Sequence, residues 1–251
     1  MEPPGQVNDT LRFACTGCGK CCTGHHVPLT LDEARQWAVS GGQVIVLIEA
    51  FVSDGPGMPV EQREHVMRRS YPVPCGSAEA RVAVTFAAFN PGRCRHLDAD
   101  DLCSIYDQRP LVCRIYPVEI NPHIALRPEH KDCPAEAWQQ GPELIHGSLP
   151  VDAALQALVH ASRQADRADI AAKVAICEAL EMTTSALKGN GFTAYLPQMS
   201  AFAAATQAPR AAPIGLGWTL HVEQPERVDE LQALGLHTTA QAPVFYAFIG
   251  F

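Results

Sequence analysis

The sequence predicts an α+β fold, in which an irregular, loop-rich first domain precedes a helical C-terminal half with a possible small terminal sheet. Nine of the ten cysteines lie between Cys15 and Cys133, a stretch that Gly and Pro interrupt repeatedly. Residues 151–187, by contrast, contain neither Gly nor Pro and repeat apolar residues at near-helical spacing. We therefore expect two domains, one over residues 10–140 and one over residues 150–251.

Local signals place the elements of the first domain. Residues 30–33 match the capping-box pattern and predict a helix that runs to about Val39. Residues 44–51 form a short apolar stretch whose type the sequence leaves open. Residues 82–86 predict a strand, and residues 120–126 predict another. Between Cys94 and Cys103, residues 96–102 predict the tip of a hairpin.

The second half of the chain contains fewer breaks. Residues 151–187 predict two helices, or one long helix that is broken near residues 165–169. Residues 218–222 and 244–251 predict strands on either side of a short helix at residues 228–234. These short strands would form the small terminal sheet or lie along the helices.

Charge and hydropathy exclude two classes of partner. The net charge is −8 at pH 7, and no cluster of Lys and Arg is present. Nucleic acids and anionic membranes bind such clusters through counterion release. The N-terminus lacks the charged and apolar regions of a secretory signal, and no apolar run approaches the ~20 residues of a membrane span. We expect a cytoplasmic protein with no nucleic-acid partner and no membrane partner.

The expected compartment decides how the cysteines are interpreted. In a reducing cytoplasm, thiols serve as metal ligands more often than as disulfide partners. A disulfide between the adjacent Cys21 and Cys22 would also be strained. The two-residue gaps of the C-x-x-C-x-x-C-C run, which begins at Cys15, let successive thiolates converge on one centre. The first domain is therefore predicted to be stabilised by metal.

Eight cysteines form the predicted metal-ligand set: Cys15, Cys18, Cys21, Cys22, Cys94, Cys103, Cys113 and Cys133. One 4Fe–4S cluster or one structural zinc uses four thiolates, so eight thiols indicate two sites, or one site with spare thiols. We expect Cys15, Cys18 and either Cys21 or Cys22 to share one centre. A thiol from the later set would complete it.

Four further donors receive other roles. Cys75 is predicted to be an exposed thiol in a loop, and Cys177 a buried thiol on an apolar helical stripe. His25 and His26 follow the first cysteine run closely. We expect them to lie beside the metal or at the surface instead of binding it.

The spacing of the first cysteines favours iron over zinc. Cys15, Cys18 and Cys21 match the opening of the bacterial ferredoxin run, which ends in a Cys-Pro pair. Cys133 and Pro134 supply such a pair further along the chain. The predicted cofactor is an Fe–S cluster, preferably 4Fe–4S, and zinc is the alternative.

Two blocks of the sequence resemble a known protein family. The blocks are FACTGCGKCC, from Phe13 to Cys22, and CSIYDQRPLVCRIYP, from Cys103 to Pro117. They are similar to the two signatures of the zinc- or iron-chelating family that is named for its C-x-x-C-x-x-C-C motif, and the resemblance covers about half the chain. Flagellin lysine N-methylases carry a similar cysteine pattern, but this chain is shorter and has no Gly-rich adenosine-binding turn, so methylase activity is weakly implied.

The resemblance also implies which residues support the metal. Tyr106, Arg109, Arg114 and Tyr116 match the second signature. Thiolate-ligated clusters carry negative charge, which guanidinium and phenol donors would stabilise and tune. Alternatively, the two arginines brace the loop by hydrogen-bonding to carbonyl or carboxylate groups.

These observations predict an iron–sulfur protein used for electron transfer, redox sensing or a cluster-assisted modification of another protein. Two alternatives stay open: a non-catalytic zinc module that holds a loop-rich fold together, and a metal-handling protein. The expected partners are metal ions and either a protein substrate or a redox partner. No Ser-His-Asp set, phosphate loop or H-E-x-x-H helix is present, so catalytic residues are unassigned and enzymatic activity stays open.

Overall fold

The computed structural model describes residues 10–52, 60–147, 149–189, 191–207, 212–240 and 246–249. These residues fall into two compact units, each built from two segments of the chain. The first unit takes its residues from 1–27 and 90–164, and the second takes its residues from 28–89 and 165–251. The predicted domains are continuous in sequence, and their independent folding stays a prediction.

The described residues contain both helices and strands. The strands are β1 Thr10–Arg12, β2 Val27–Leu29, β3 Val44–Phe51, β4 Tyr71–Cys75, β5 Ala78–Ala88, β6 Glu143–His146, β7 Leu149–Pro150, β8 Thr184–Leu187, β9 Phe192–Tyr195, β10 Thr219–His221, β11 Thr238–Thr239 and β12 Tyr246–Ile249. The α-helices are α1 Leu31–Val39, α2 Val60–Met67, α3 Leu111–Ile115, α4 Ala153–Ala168, α5 Ile170–Ala179, α6 Met199–Gln207 and α7 Pro225–Ala233. Short 3-10 helices lie at Lys20–Cys22, Tyr106–Gln108, Pro128–His130 and Ala135–Trp138.

The second unit is organised around a nine-stranded mixed sheet. Its main path runs β11-β10-β8-β3-β5-β2, while β4 pairs with β5, β9 with β3, and β12 with β9. β3 and β5 are antiparallel over their whole length, from the pair Val44 and Ala88 to the pair Phe51 and Arg81. β8 and β10 are parallel to each other, and β8 is parallel to β3.

The core of the second unit lies against this sheet. Val44, Val46 and Ile48 are fully buried on one face of β3, since alternate residues of a strand point to the same side, and Ile45 is buried on the other face. Phe86 on β5 meets Phe202 on α6 edge-on, with ring centroids 5.1 Å apart. Burial of large apolar side chains such as these contributes favourably to the free energy of folding.

Two helix predictions in the second unit are confirmed. The Thr30 hydroxyl accepts a hydrogen bond from Glu33 N at 3.2 Å, and the Glu33 carboxylate accepts one from Thr30 N at 2.9 Å. This capping box begins α1 as predicted. The predicted break near residues 165–169 is also present, since α4 ends at Ala168 and α5 begins at Ile170. The helical prediction is wrong at the end of its range, because residues 184–187 form β8.

The predicted fold class is wrong in its main feature. The fold is α+β, but a large sheet replaces the irregular, loop-rich domain with a helical C-terminal half and a small terminal sheet. The sheet was missed because β3 pairs with β8 and β9, which lie more than a hundred residues later in the chain. Local patterns predict the strands at 82–86 and 218–222 but not which strands pair.

The first unit is much less regular than the second. β1, β6 and β7 form a three-stranded antiparallel sheet. Among its described residues, the buried apolar side chains besides Pro110 and Pro117 are Ile115, Ala137, Ile145 and Val159. A core this small stabilises a chain segment of this length poorly.

The predicted strand at residues 120–126 is wrong. The segment turns instead, with Ile124 N donating to Asn121 O at 3.2 Å and His123 N donating to the Asn121 side chain at 2.9 Å. Pro122 cannot donate a ladder hydrogen bond, and the Asn side chain competes for the backbone donors of a strand.

Among the residues that the structure describes, no helix is long and apolar enough to span a bilayer.

Candidate metal centre

The eight predicted ligands all lie in the first unit, on four pieces of backbone. Cys15 and Cys18 lie on a loop, and Cys21 and Cys22 on the short 3-10 helix that follows it. Cys94 and Cys103 lie in the segment that forms a hairpin, and Cys113 lies on α3. Cys133 lies just before the last 3-10 helix of this unit.

One backbone contact brings the first loop to the segment that follows Cys133. Ala14 N donates to Ala137 O at 2.8 Å, and the rings of Phe13 and Trp138 lie 4.9 Å apart between centroids. Gly141 makes this close approach possible: it has a φ of 97°, and a Cβ there would lie 2.5 Å from Phe13 O. Only glycine fits without moving backbone.

A second contact joins the Cys22 region to Cys94. Cys94 N donates to Cys22 O at 2.8 Å, and Gly24 N donates to Gly92 O at 2.8 Å, which makes a short antiparallel ladder. The buried Asn90 side chain also donates to Cys22 O at 3.1 Å and to His25 O at 3.2 Å. No sequence pattern predicts this contact of Asn90, because its position before Pro91 and Gly92 indicates only a turn.

Residues 94–103 form the predicted hairpin. Leu97 and Cys103 make an isolated bridge, and Asp98 N donates to Leu102 O at 2.9 Å. The tip of the hairpin covers the first cysteine loop, because a Cβ at Gly17 would meet Leu102 Cδ2 at 2.9 Å. The hairpin therefore supports the loop that carries Cys15 and Cys18.

Electrostatic proximity gathers four of the thiols, which we call the first thiol group: Cys15, Cys18, Cys21 and Cys133. The hydrogen bond with Cys22 raises the pKa of Cys21 most, burial raises it further, and the charges of Cys22, Cys133 and Cys15 add to both. Burial raises the pKa of Cys133, and the charges of Cys18 and Cys15 raise it again. Mutual repulsion of this kind acts only between groups a few ångströms apart.

The other four thiols form the second thiol group: Cys22, Cys94, Cys103 and Cys113. Burial raises the pKa of Cys113 to about 12, and the charges of Cys22, Cys94 and Cys103 add to it. Burial likewise raises the pKa of Cys94, with further contributions from Cys22 and Cys103. The eight thiols thus divide into two sets of four.

The two thiol groups meet at the Cys21–Cys22 peptide. The two sulfurs lie 3.8 Å apart. The hydrogen bond with Cys21 lowers the pKa of Cys22 to about 6 against the opposing effect of burial, and the charges of Arg109 and His25 lower it further. The two sulfurs can share one proton, and the charges of Arg109 and His25 favour the thiolate at Cys22.

Tyr116 and Arg109 each interact with thiols of the two groups. The Cys133 thiol donates to the Tyr116 hydroxyl at 3.4 Å, and the ammonium of Lys131 lies 5.5 Å from the centre of the Tyr116 ring. The charge of Arg109 lowers the pKa of both Cys22 and Cys113, in each case as a smaller effect than hydrogen bonding or burial. These two residues can therefore stabilise thiolate charge.

Tyr106 and Arg114 lie further from the sulfurs. Tyr106 is 53% exposed, accepts a hydrogen bond from Arg109 Nε at its carbonyl oxygen and stacks under the guanidinium, whose Cζ lies 3.6 Å from the ring centroid. It can act on the thiols only by positioning Arg109. Arg114 is exposed on α3, and no described contact joins it to a thiol.

The two histidines near the first cysteine run make other contacts. His25 Nε2 lies 2.9 Å from a carboxylate oxygen of Asp132, the neighbour of Cys133, and His26 Nδ1 accepts a hydrogen bond from Asn90 N at 3.0 Å. Both geometries agree with the prediction that the imidazoles lie beside the thiols. The role of Asp132 was not predicted.

Cys75 and Cys177 lie in the second unit, away from the thiol groups. Cys177 is fully buried on α5, so this prediction is confirmed. The prediction of an exposed loop thiol at Cys75 is wrong, because the residue ends β4, is fully buried and contacts His237 O at 3.5 Å. The proline and glycine beside it, at Pro74 and Gly76, misled the sequence analysis, since they lie in or beside an edge strand.

The donor chemistry of both thiol groups fits a metal centre. Four thiolates are the complete ligand set of a structural zinc or of an iron–sulfur cluster. Among the described residues, no three Cys, His, Asp or Glu side chains already stand in the geometry that holds a single metal ion. Metal binding therefore requires the thiols of each group to turn toward a common centre.

Comparison with protein families agrees with this donor chemistry. Residues 14–134 match the model of the CxxCxxCC family, described as "Putative zinc- or iron-chelating domain". This part of the chain belongs to the CxxCxxCC family. The matched segment includes all eight thiols of the two groups and the whole hairpin. A search of curated proteins and a search of solved structures each found no match.

Proposed function

We propose that the protein chelates metal at two centres, each held by four cysteine thiolates. The first thiol group would form one centre and the second thiol group the other. This assignment supplies the fourth ligand that the sequence analysis left open, since Cys133 joins Cys15, Cys18 and Cys21. It also separates Cys21 from Cys22, whose adjacent side chains serve different centres.

The observation that carries the proposal is the composition of the first unit. Its described residues bury four apolar side chains besides two prolines, whereas the unit carries eight thiols, six of them partly buried and two exposed. Chains that cannot build a sufficient core are commonly held by metal, and the binding free energy then stabilises the fold. Metal at the two thiol groups would provide that stabilisation here.

Iron–sulfur clusters, with 4Fe–4S preferred, are the centres that we propose. The spacing of Cys15, Cys18 and Cys21 matches the opening of the bacterial ferredoxin run, and Cys133 with Pro134 supplies its Cys-Pro pair, which supports a cluster. Clusters would give the protein an electron-transfer, redox-sensing or cluster-assisted protein-modification role with a protein partner.

Zinc is the second candidate, because the matched family is described as zinc- or iron-chelating and four thiolates also complete the ligand set of a structural zinc. In this case the protein would be a structural zinc module or a metal-handling protein. Either role places it in a reducing compartment such as the cytoplasm, where ten free thiols persist.

Anaerobic purification followed by metal and sulfide analysis tests the proposal. We expect iron and acid-labile sulfide, a brown colour, and two centres per chain. Stoichiometric zinc in a colourless protein would replace iron with zinc and leave the two-centre assignment standing. A protein that carries no metal after anaerobic purification and reconstitution with either metal would refute the proposal itself.

A further inference from the structure

The two thiol groups differ in how solvent reaches them. Cys15 and Cys18 of the first thiol group are exposed, while its other two members are partly buried. No member of the second thiol group is exposed. A ligand from solution can therefore approach two sulfurs of the first group directly.

The backbone of the more exposed first thiol group is also less regular than that of the second thiol group. Residues 13–19 form neither helix nor strand, and the loop is held at Ala14 on one side and at the 3-10 helix on the other. In the second thiol group, Cys94 pairs with the Cys22 carbonyl, Cys103 bridges across its hairpin, and Cys113 lies on α3. Ligands on hydrogen-bonded backbone move apart less easily than ligands on a loop.

We propose that the first thiol group is an exchange centre, which passes its metal to an external dithiol, and that the second thiol group retains its metal. This inference rests on the proposed function, because it requires that both groups bind metal. It assigns the two centres different roles: the second holds the unit together, and the first delivers or accepts metal.

The exchange needs no change in oxidation state. An incoming thiol loses its proton and forms a metal–sulfur bond as the bond to Cys18 breaks, and the released Cys18 thiolate takes up that proton. The second thiol of the same acceptor would replace Cys15 in the same way. A second dithiol would then replace Cys21 and Cys133, and each leaving thiolate would take up the proton of the thiol that replaces it. Because the two exposed thiolates are three residues apart and leave in sequence, an acceptor that offers two thiols is the chemical class that fits.

Metal release from the full-length, metal-loaded chain tests the inference. The competing ligand is dimercaptosuccinate, and native mass spectrometry counts the metal centres that remain over time. We expect one centre to leave at least about tenfold faster than the other, because access controls thiol exchange. The Cys18→Ser variant should lack the fast phase and keep one centre, whereas Cys103→Ser should lack the slow phase.

Two controls keep the result interpretable. Cys177→Ser alters a fully buried thiol of the second unit and should release metal as the wild type does. Alkylation of the wild type with N-ethylmaleimide during release requires no variant, and Cys15 and Cys18 should be labelled before the second thiol group.

The outcomes separate the inference from the proposed function. Two centres that leave at one rate, or early labelling of Cys94 or Cys113, overturn the exchange centre and leave metal binding intact. Cys18→Ser and Cys103→Ser proteins that both keep two full centres overturn the proposed function.

Discussion

At the scale of single residues, the Cys21–Cys22 pair concentrates the electrostatics of the site. The hydrogen bond between the two thiols raises the pKa of Cys21 and lowers the pKa of Cys22, and the charge of Cys22 raises the pKa of Cys21 further. A deprotonated thiol is the form that binds metal, so a lowered pKa favours metal binding by Cys22 near neutral pH. The positive charge of Arg109 contributes to this state.

The first prediction concerns the charge of Arg109. In metal-stripped, reduced protein, Cys22 should react with iodoacetamide at a rate that rises through pH 6, because only the thiolate reacts and its pKa is about 6. Cys113, with a pKa of about 12, should stay unreactive near neutral pH. Arg109→Gln removes a charge that favours the Cys22 thiolate, so the midpoint of the Cys22 profile should move to higher pH.

Mass spectrometry of the alkylated peptides measures both profiles. Arg114→Gln is the matched control, since Arg114 is exposed on the neighbouring helix α3, and it should leave the Cys22 midpoint in place. An equal shift in both variants would mean that Arg109 acts only through the overall charge of the protein. No shift in either would remove Arg109 from the site.

At the scale of elements, the sequence predicts what is encoded locally. The capping box of α1, the hairpin at 94–103 and the break between α4 and α5 depend on a few neighbouring residues, and all three are present. The strand expected at 120–126 failed because a local turn satisfied the backbone first. The contact between residues 13–14 and 137–142 could not be predicted, since only the folded chain brings these segments together.

The second prediction tests that contact through Gly141. Gly141→Ala places a methyl group 2.5 Å from Phe13 O, which must force the first loop away from the Cys133 segment. We expect the variant to lose metal from the first thiol group, which is one of the two proposed centres. Metal analysis and native mass spectrometry measure the loss.

Gly147→Ala separates this effect from backbone strain. Gly147 also has a positive φ, 63°, but nothing lies within 4 Å of the added Cβ. Both substitutions should lower the free energy of unfolding by about 1 kcal/mol through the left-handed backbone alone. Equal metal content in the two variants would show that the close approach at Gly141 does not assemble the first thiol group.

At the scale of the whole molecule, the sequence predicts the chemistry better than the architecture. The sequence predicts metal binding and the family because cysteine spacing is a local property, and the family match covers the segment that contains the eight thiols. Their division into two groups required the fold, since Cys133 reaches Cys15 across more than a hundred residues. The nine-stranded sheet was missed for the same reason, because β3 pairs with strands from both chain segments of the second unit.

The final prediction follows from the unequal cores of the two units. The second unit buries long apolar strands such as β3 and β5, whereas the described part of the first unit buries four apolar side chains besides two prolines. Removing metal with a chelator under reducing conditions should therefore raise the rate of amide exchange in residues 10–27 and 90–147, through more frequent local opening of a unit that still folds, while β3 and β5 stay protected. Hydrogen exchange followed by mass spectrometry compares the loaded and stripped protein, and returning metal should restore protection. If stripped and loaded protein exchange alike, metal does not stabilise the first unit; if β3 loses protection together with residues 90–147, the metal centres stabilise the whole chain as one cooperative structure.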